Sequence, residues 1–126
     1  MLTLALAVVR TLIGLFFVAA GISHEAQHAY FATQFARWGV PAADVSVWLV
    51  GAVEIVCGAM LALGALTRPV ALALATLMVG AVAFAGRSDG GFHLIVPPIL
   101  FVLCVFYAWR SGRFAGGTPK RQPGVQ

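Results

Sequence analysis

Residues 47–66 read VWLVGAVEIVCGAMLALGAL, an unbroken apolar run with one charge, Glu54, and no proline. About 20 such residues in a helix rise roughly 30 Å, the thickness of a bilayer's hydrocarbon core. The run shows no alternation of polar and apolar positions, so it reads as a membrane helix and not as a barrel strand. Three more runs of this kind surround it. Residues 2–22 carry only Arg10 as a charge, and residues 69–85 and 94–109 carry none. The sequence therefore predicts an all-α integral membrane four-helix bundle.

Composition agrees. Of 126 residues, 61% are hydrophobic and 10% charged, where soluble domains average about 25% charged. The mean hydropathy of +0.96 applies to the whole chain, which excludes a soluble enzyme, a disordered regulator and a disulfide-stapled secreted domain. Cys57 and Cys104 both sit inside apolar runs and read as packing thiols rather than a crosslink framework. The net charge of +4 has no basic run with interleaved aromatics, so nucleic acid is not an expected partner. Residues 2–22 lack a basic leader and are interrupted by Arg10, so they read as a retained span. Residues 1–114 form one membrane domain, and the Gly-, Pro- and charge-rich residues 115–126 read as a disordered cytoplasmic tail.

Four spans put both termini on one side. That side carries Arg68, Arg110, Arg113, Lys120 and Arg121 and no acid. The other carries Arg37 and Arg87 against Glu25, Asp44 and Asp89. The excess of basic residues assigns the termini to the cytoplasm of a bacterial inner membrane. Thr67 reads as the cap of the third span, with Pro69 in its first turn. On the outward side, Tyr30, Phe31, Gln34, Phe35 and Trp38 recur at helical spacing and predict a short amphipathic helix between the first two spans. Gly39-Val40-Pro41 ends it. Pro97 and Pro98 belong in the first turn of the last span or kink it. Gly14 and Gly21, and Gly51 and Gly58, repeat at seven residues and suit close helix packing.

Two ionisable residues lie deep in predicted spans. Arg10 is about 12 Å in from the start of the first, and Glu54 about 18 Å in from the end of the second. A charge at that depth needs a partner, and the two depths predict an Arg10–Glu54 pair, either fixing helix register or forming a polar pocket. His24 and His93 fall at the outward mouth of such a pocket. His24-Glu25-Ala26-Gln27-His28 reads as HExxH, a pattern that binds zinc when both histidines share a helix face and a third ligand is present. Here it sits where a helix meets water, with no clear third ligand. Metal is therefore not expected, and His24, His28 and His93 are the weak candidates if one binds.

The chain resembles the DoxX family of small four-helix bacterial membrane proteins, related to the DoxD subunit of thiosulfate:quinone oxidoreductase. The resemblance covers most of residues 4–114. It rests on Gly51-Ala52-Val53-Glu54-Ile55-Val56-Cys57-Gly58 followed by Leu63-Gly64-Ala65-Leu66-Thr67-Arg68-Pro69. Arg10, Gly14, Phe17 and Gly21 match the family's first helix, Gly39-Val40-Pro41 the turn before the second, and Gly112-Arg113-Phe114 its tail. The family often has a lysine where this chain has His24. The resemblance implies a membrane redox context, with quinone as the ligand to consider. The expected role is a subunit or accessory of a quinone-linked or other redox system. The alternative is a non-catalytic structural or assembly subunit, and the third reading an outward metal or small-molecule binder. The expected partners are the lipid bilayer and either another membrane or redox protein or a second copy of the chain.

Overall fold

The computed structural model describes residues 1–115. Every regular element among them is helical. Helix α1 spans Leu2–Ala26, α2 His28–Arg37, α3 Ala43–Leu63 and α4 Thr67–Ala81. A π-helical segment, Val82–Gly86, carries α4 on into one last turn, α5, at Arg87–Asp89, and α6 spans Phe92–Ala115. Four stretches are long and apolar enough to cross a bilayer: Leu2–Ala26, Ala43–Leu63, Thr67–Asp89 and Phe92–Arg113. The short helix between the first two crossings is α2, as its aromatic spacing predicts. Residues 116–126, which hold all but the first residue of the expected tail, lie outside the described residues.

Each span is longer than its apolar run. Helix α1 continues four residues past Ile22, because Ser23, His24, Glu25 and Ala26 are tolerated in a helix and none breaks it. The break comes at Gln27, whose backbone leaves helical geometry and separates α1 from α2. The turn between α3 and α4 closes with Gly64 at φ 74°. There the Ala65 amide donates to the Met60 carbonyl and the Gly64 amide to the Leu61 carbonyl, a Schellman arrangement that satisfies the end of α3. Thr67 is the first helical residue of α4 rather than its cap. Leu66 takes the cap position, with left-handed φ of 46° and no capping side chain. Of the two placements expected for the prolines, the first turn does not hold. With α6 starting at Phe92, Pro97 and Pro98 lie inside the helix, beyond the first turn.

The chain packs as two consecutive hairpins, α1 against α3 and α4 against α6. Small residues set the first. A methyl group added at Gly14 would come within 2.5 Å of the Gly58 carbonyl oxygen and the Ala62 nitrogen, and one at Gly21 within 2.6 Å of the Gly51 carbonyl oxygen. The helix backbones therefore touch at Gly14–Gly58 and Gly21–Gly51, where membrane helices gain close packing. Thr11 adds a hydrogen bond to the Ala62 carbonyl at 3.1 Å. The two hairpins share a core of Phe17, Leu61, Leu74, Met78, Leu100 and Cys104. Tyr107 of α6 reaches back to α1 and donates to the Leu6 carbonyl at 2.7 Å. Leu4, Leu12, Leu72, Val79, Ile99 and Val102 face outward, the apolar exterior that lipid requires.

Candidate functional site

Between the hairpins, at the end capped by α2, lies a cavity of about 650 Å³. That size suits a small organic ligand. Aromatic rings form much of its wall: Phe16 and Phe17 from α1, Phe31, Phe35 and Trp38 from α2 and its end, and Phe84 from the π segment. Gly80 of α4 also lines it, and a side chain added there would meet no atom within 4 Å.

The cavity's polar groups are few and placed by the helices already described. Glu54 of α3 is 4% exposed. Its Oε2 accepts a 2.6 Å hydrogen bond from Nδ1–H of His24 on α1. Such a short contact between an imidazole and a carboxylate is a strong, charge-assisted bond. The His24 ring is held edge-on by Phe31 and Phe35, with centroids 4.4 and 5.8 Å away. His93 enters from α6 with its ring against Trp38 and Phe92, at 5.2 and 5.6 Å. Both His93 ring nitrogens are buried and without a hydrogen-bond partner among the described residues. Trp38 is fixed in turn. Its indole N–H donates to Asp89 Oδ2 at 2.8 Å, and the same carboxylate receives Arg37 at 2.8 and 2.9 Å. These bonds tie the end of α2 to the last turn before α6, so α2 forms a fastened roof.

Backbone irregularities border the cavity on its α4–α6 side. The π segment places Phe84 and Ala85 in the wall. Such segments are often found where a helix is shaped for function. In α6, Pro97 and Pro98 have no amide donors, which removes the helical bonds to the carbonyls of His93 and Leu94.

The expected Arg10–Glu54 pair does not form. The Gly14–Gly58 and Gly21–Gly51 contacts set a register in which Arg10 lies beside Gly64. That is about 15 Å along the bundle from the level of Glu54. Depths measured from the span ends match only if α1 and α3 end flush, whereas the first two turns of α1 run past the end of α3. Arg10 instead sits near the α3–α4 turn, its Nε buried without a hydrogen-bond partner among the described residues. His24 and His93, expected at the mouth, both line the cavity, and His24 takes the position against Glu54.

The HExxH residues diverge because Gln27 interrupts the helix between the two histidines. His24 turns to Glu54. His28 Nε2 bonds Asp44 Oδ1 at 2.7 Å, and its ring stacks on Trp48 at 4.1 Å. Glu25 packs on Gly51, beside a separate groove formed with Trp48 and Ile55. Among the described residues no three His, Cys, Asp or Glu side chains are grouped as a metal site would need. Cys57 and Cys104 are both free thiols, and Cys104 is fully buried.

The family model for DoxX matches residues 5–87, a stretch that includes His24, Glu54 and the α3–α4 turn. The chain belongs to the DoxX family. Among curated proteins, this DoxX chain is 40% identical over 88 residues to an uncharacterized membrane protein of Mycobacterium tuberculosis. The match covers 67% of the chain and 54% of that protein, so the DoxX chain spans about half the length of this relative. No solved structure matches it. His93 and the two prolines lie beyond the matched DoxX residues.

Proposed function

We propose that this DoxX protein is a subunit or accessory of a quinone-linked membrane redox system, and that its cavity receives the quinone headgroup. The supporting observation is the short His24–Glu54 hydrogen bond in the wall of an aromatic cavity. Aromatic walls suit a flat ring, and a buried ionisable residue within a membrane span marks a working site by default. A bound quinone supplies two-electron, two-proton chemistry. The chain's own residues enclose the ring, exclude water beneath the α2 roof and hold a proton between His24 Nδ1 and Glu54 Oε2. The basic residues near the termini favour an inner-membrane orientation with both termini cytoplasmic. The cavity then opens near the outer face.

Purification in mild detergent followed by mass spectrometry tests this reading. Copurified quinone, depleted in a Gly80→Phe variant that fills the cavity, is the expected result. Wild-type protein purified without quinone, and failing to bind added decylubiquinone, would refute it. Orientation has its own check: a C-terminal alkaline phosphatase fusion should be inactive and a green fluorescent fusion bright.

A second reading is a structural or assembly subunit that docks through the lipid-facing side of α1. Its Leu4, Val8, Leu12 and Leu15 stay exposed after the bundle has packed. A stoichiometric protein partner lost on replacing these residues with bulkier ones, with no quinone present, would select it.

A further inference from the structure

We infer that the bundle end around the α3–α4 turn holds an acidic phospholipid by its phosphate, with Arg10 as the main contact and Arg68 beside it. This site lies at the opposite end of the bundle from the cavity and does not depend on the function proposed for the cavity. Arg10 is half-buried, and a charge taken partly out of water needs a counter-charge. The chain has only four acidic residues, Glu25, Asp44, Glu54 and Asp89. Glu54 is about 15 Å away along the bundle. Glu25 packs on Gly51, Asp44 bonds His28 and Asp89 bonds Arg37, all toward the end capped by α2. No acidic side chain of this protein reaches Arg10.

The Arg10 side chain makes no hydrogen bond or ion pair among the described residues, and only its Nε is enclosed. Its two Nη nitrogens stay accessible. A methyl group placed on Gly64 would come within 2.9 Å of Nη2, 3.0 Å of Cζ and 3.2 Å of Nη1, so the guanidinium rests with its face on that glycine. Guanidinium donors lie in the plane of the group. The face-down placement therefore directs the Nη edge along the surface, where a phosphate can take two parallel bonds from it. More positive charge gathers at the same end. Arg68 follows Gly64 by about one helical turn, and its Nη1 would lie 3.0 Å from a methyl placed on Gly112 of α6. Arg10 and Arg110 both act on the Tyr107 hydroxyl. The surroundings select a lipid over a free anion. Leu63 and Leu66 flank Gly64 in the turn and are 82% and 67% exposed. Exposed leucines beside an arginine without a carboxylate fit an amphiphile, with its phosphate on the guanidinium and its acyl chain on the leucines. A lipid of net negative charge gains from the whole cluster, whereas a zwitterionic one brings a cation of its own.

Native mass spectrometry of the full chain released from detergent micelles tests this. The probes are equimolar dioleoylphosphatidylglycerol and dioleoylphosphatidylcholine, which share acyl chains and a phosphate and differ in net charge. The expected result is a single phosphatidylglycerol adduct, favoured by about tenfold. Arg10→Gln and Arg68→Gln should each weaken it by about fivefold. Arg10→Lys, which keeps the charge and loses the fork, should retain part of it. Arg87→Gln removes an exposed arginine near the other end and should change nothing. Arg68→Gln, at an exposed position, keeps the test valid if Arg10→Gln fails to fold. Equal adducts of the two lipids, or an equal loss in Arg87→Gln, would overturn the site. Inorganic phosphate that displaces the lipid and depends on Arg10 in the same way would overturn the lipid in favour of a free anion.

Discussion

Replacing His24 with alanine removes the partner of a carboxylate that is almost wholly enclosed. Breaking a buried pair on one side generally costs about 3 to 5 kcal/mol, because the remaining charge is left uncompensated. The His24 side chain is 16% exposed and borders the cavity, which gives water some access to a stranded Glu54. The expected loss for His24→Ala therefore lies near the lower end, about 3 kcal/mol. Glu54→Gln keeps the shape and can still bond, so its loss should be smaller, about 1 kcal/mol. A double-mutant cycle isolates the pair, and its coupling should be about 2 kcal/mol. The control is a second cycle with Arg10→Gln and Glu54→Gln. Residues separated by about 15 Å add independently, so the coupling there should stay below about 0.5 kcal/mol. Reversible unfolding in mixed dodecyl sulfate and maltoside micelles, followed by circular dichroism, measures all the variants. A coupling for Arg10–Glu54 equal to or larger than that for His24–Glu54 would refute the helix register and the pairing derived from it.

Three further outcomes are expected. Gly58→Ala would bring a methyl within 2.7 Å of the Gly14 carbonyl oxygen and 2.9 Å of the Phe17 side chain. It should cost about 1 to 3 kcal/mol in the same unfolding assay, whereas Gly80→Ala, in open space, should be neutral or stabilising by up to about 1 kcal/mol. Asp89→Asn weakens both the Arg37 and the Trp38 attachments of the roof; hydrogen exchange should quicken in α2 and stay unchanged in α3. Leu66→Gly relieves a left-handed residue at φ 46° and should raise stability by up to about 1 kcal/mol, read as a higher unfolding midpoint.

The four crossings were legible because apolar length is a property of the sequence alone. Helix ends were less so, since hydropathy marks where the bilayer stops and not where the backbone does. That is why α1 keeps His24 within the helix although its apolar run ends at Ile22. Glu54 is the only acid within the four apolar runs, but its partner does not follow from depth measured from the span ends, which are not flush. Part of the needed signal was present in the seven-residue spacing of Gly14 and Gly21 and of Gly51 and Gly58. Aligning those pairs puts Arg10 about 12 Å from the level of Glu54, against the expected pair, but leaves His24 about 9 Å away and does not by itself single it out. Nothing local foretold the helix break at Gln27, where the residue is neither glycine nor proline, so the HExxH pattern looked continuous. The π segment at Val82–Gly86 likewise has no compositional mark. It packs against α6, where Gly86 lies close to Leu94 and the His93 carbonyl.

The pairing of His24 with Glu54 lies wholly within the first hairpin, and that fixes when it can form. During synthesis, the first two spans are complete before the third and fourth have left the ribosome. The carboxylate that would be most costly to leave alone in lipid can thus meet its imidazole before α4 and α6 have packed against the first hairpin. The later hairpin is not needed to neutralise it and only builds the far wall of a chamber around a bond already made. Defects in α4 or α6 should accordingly yield a chain that inserts and lacks its chamber, whereas defects at His24 should be felt at insertion itself.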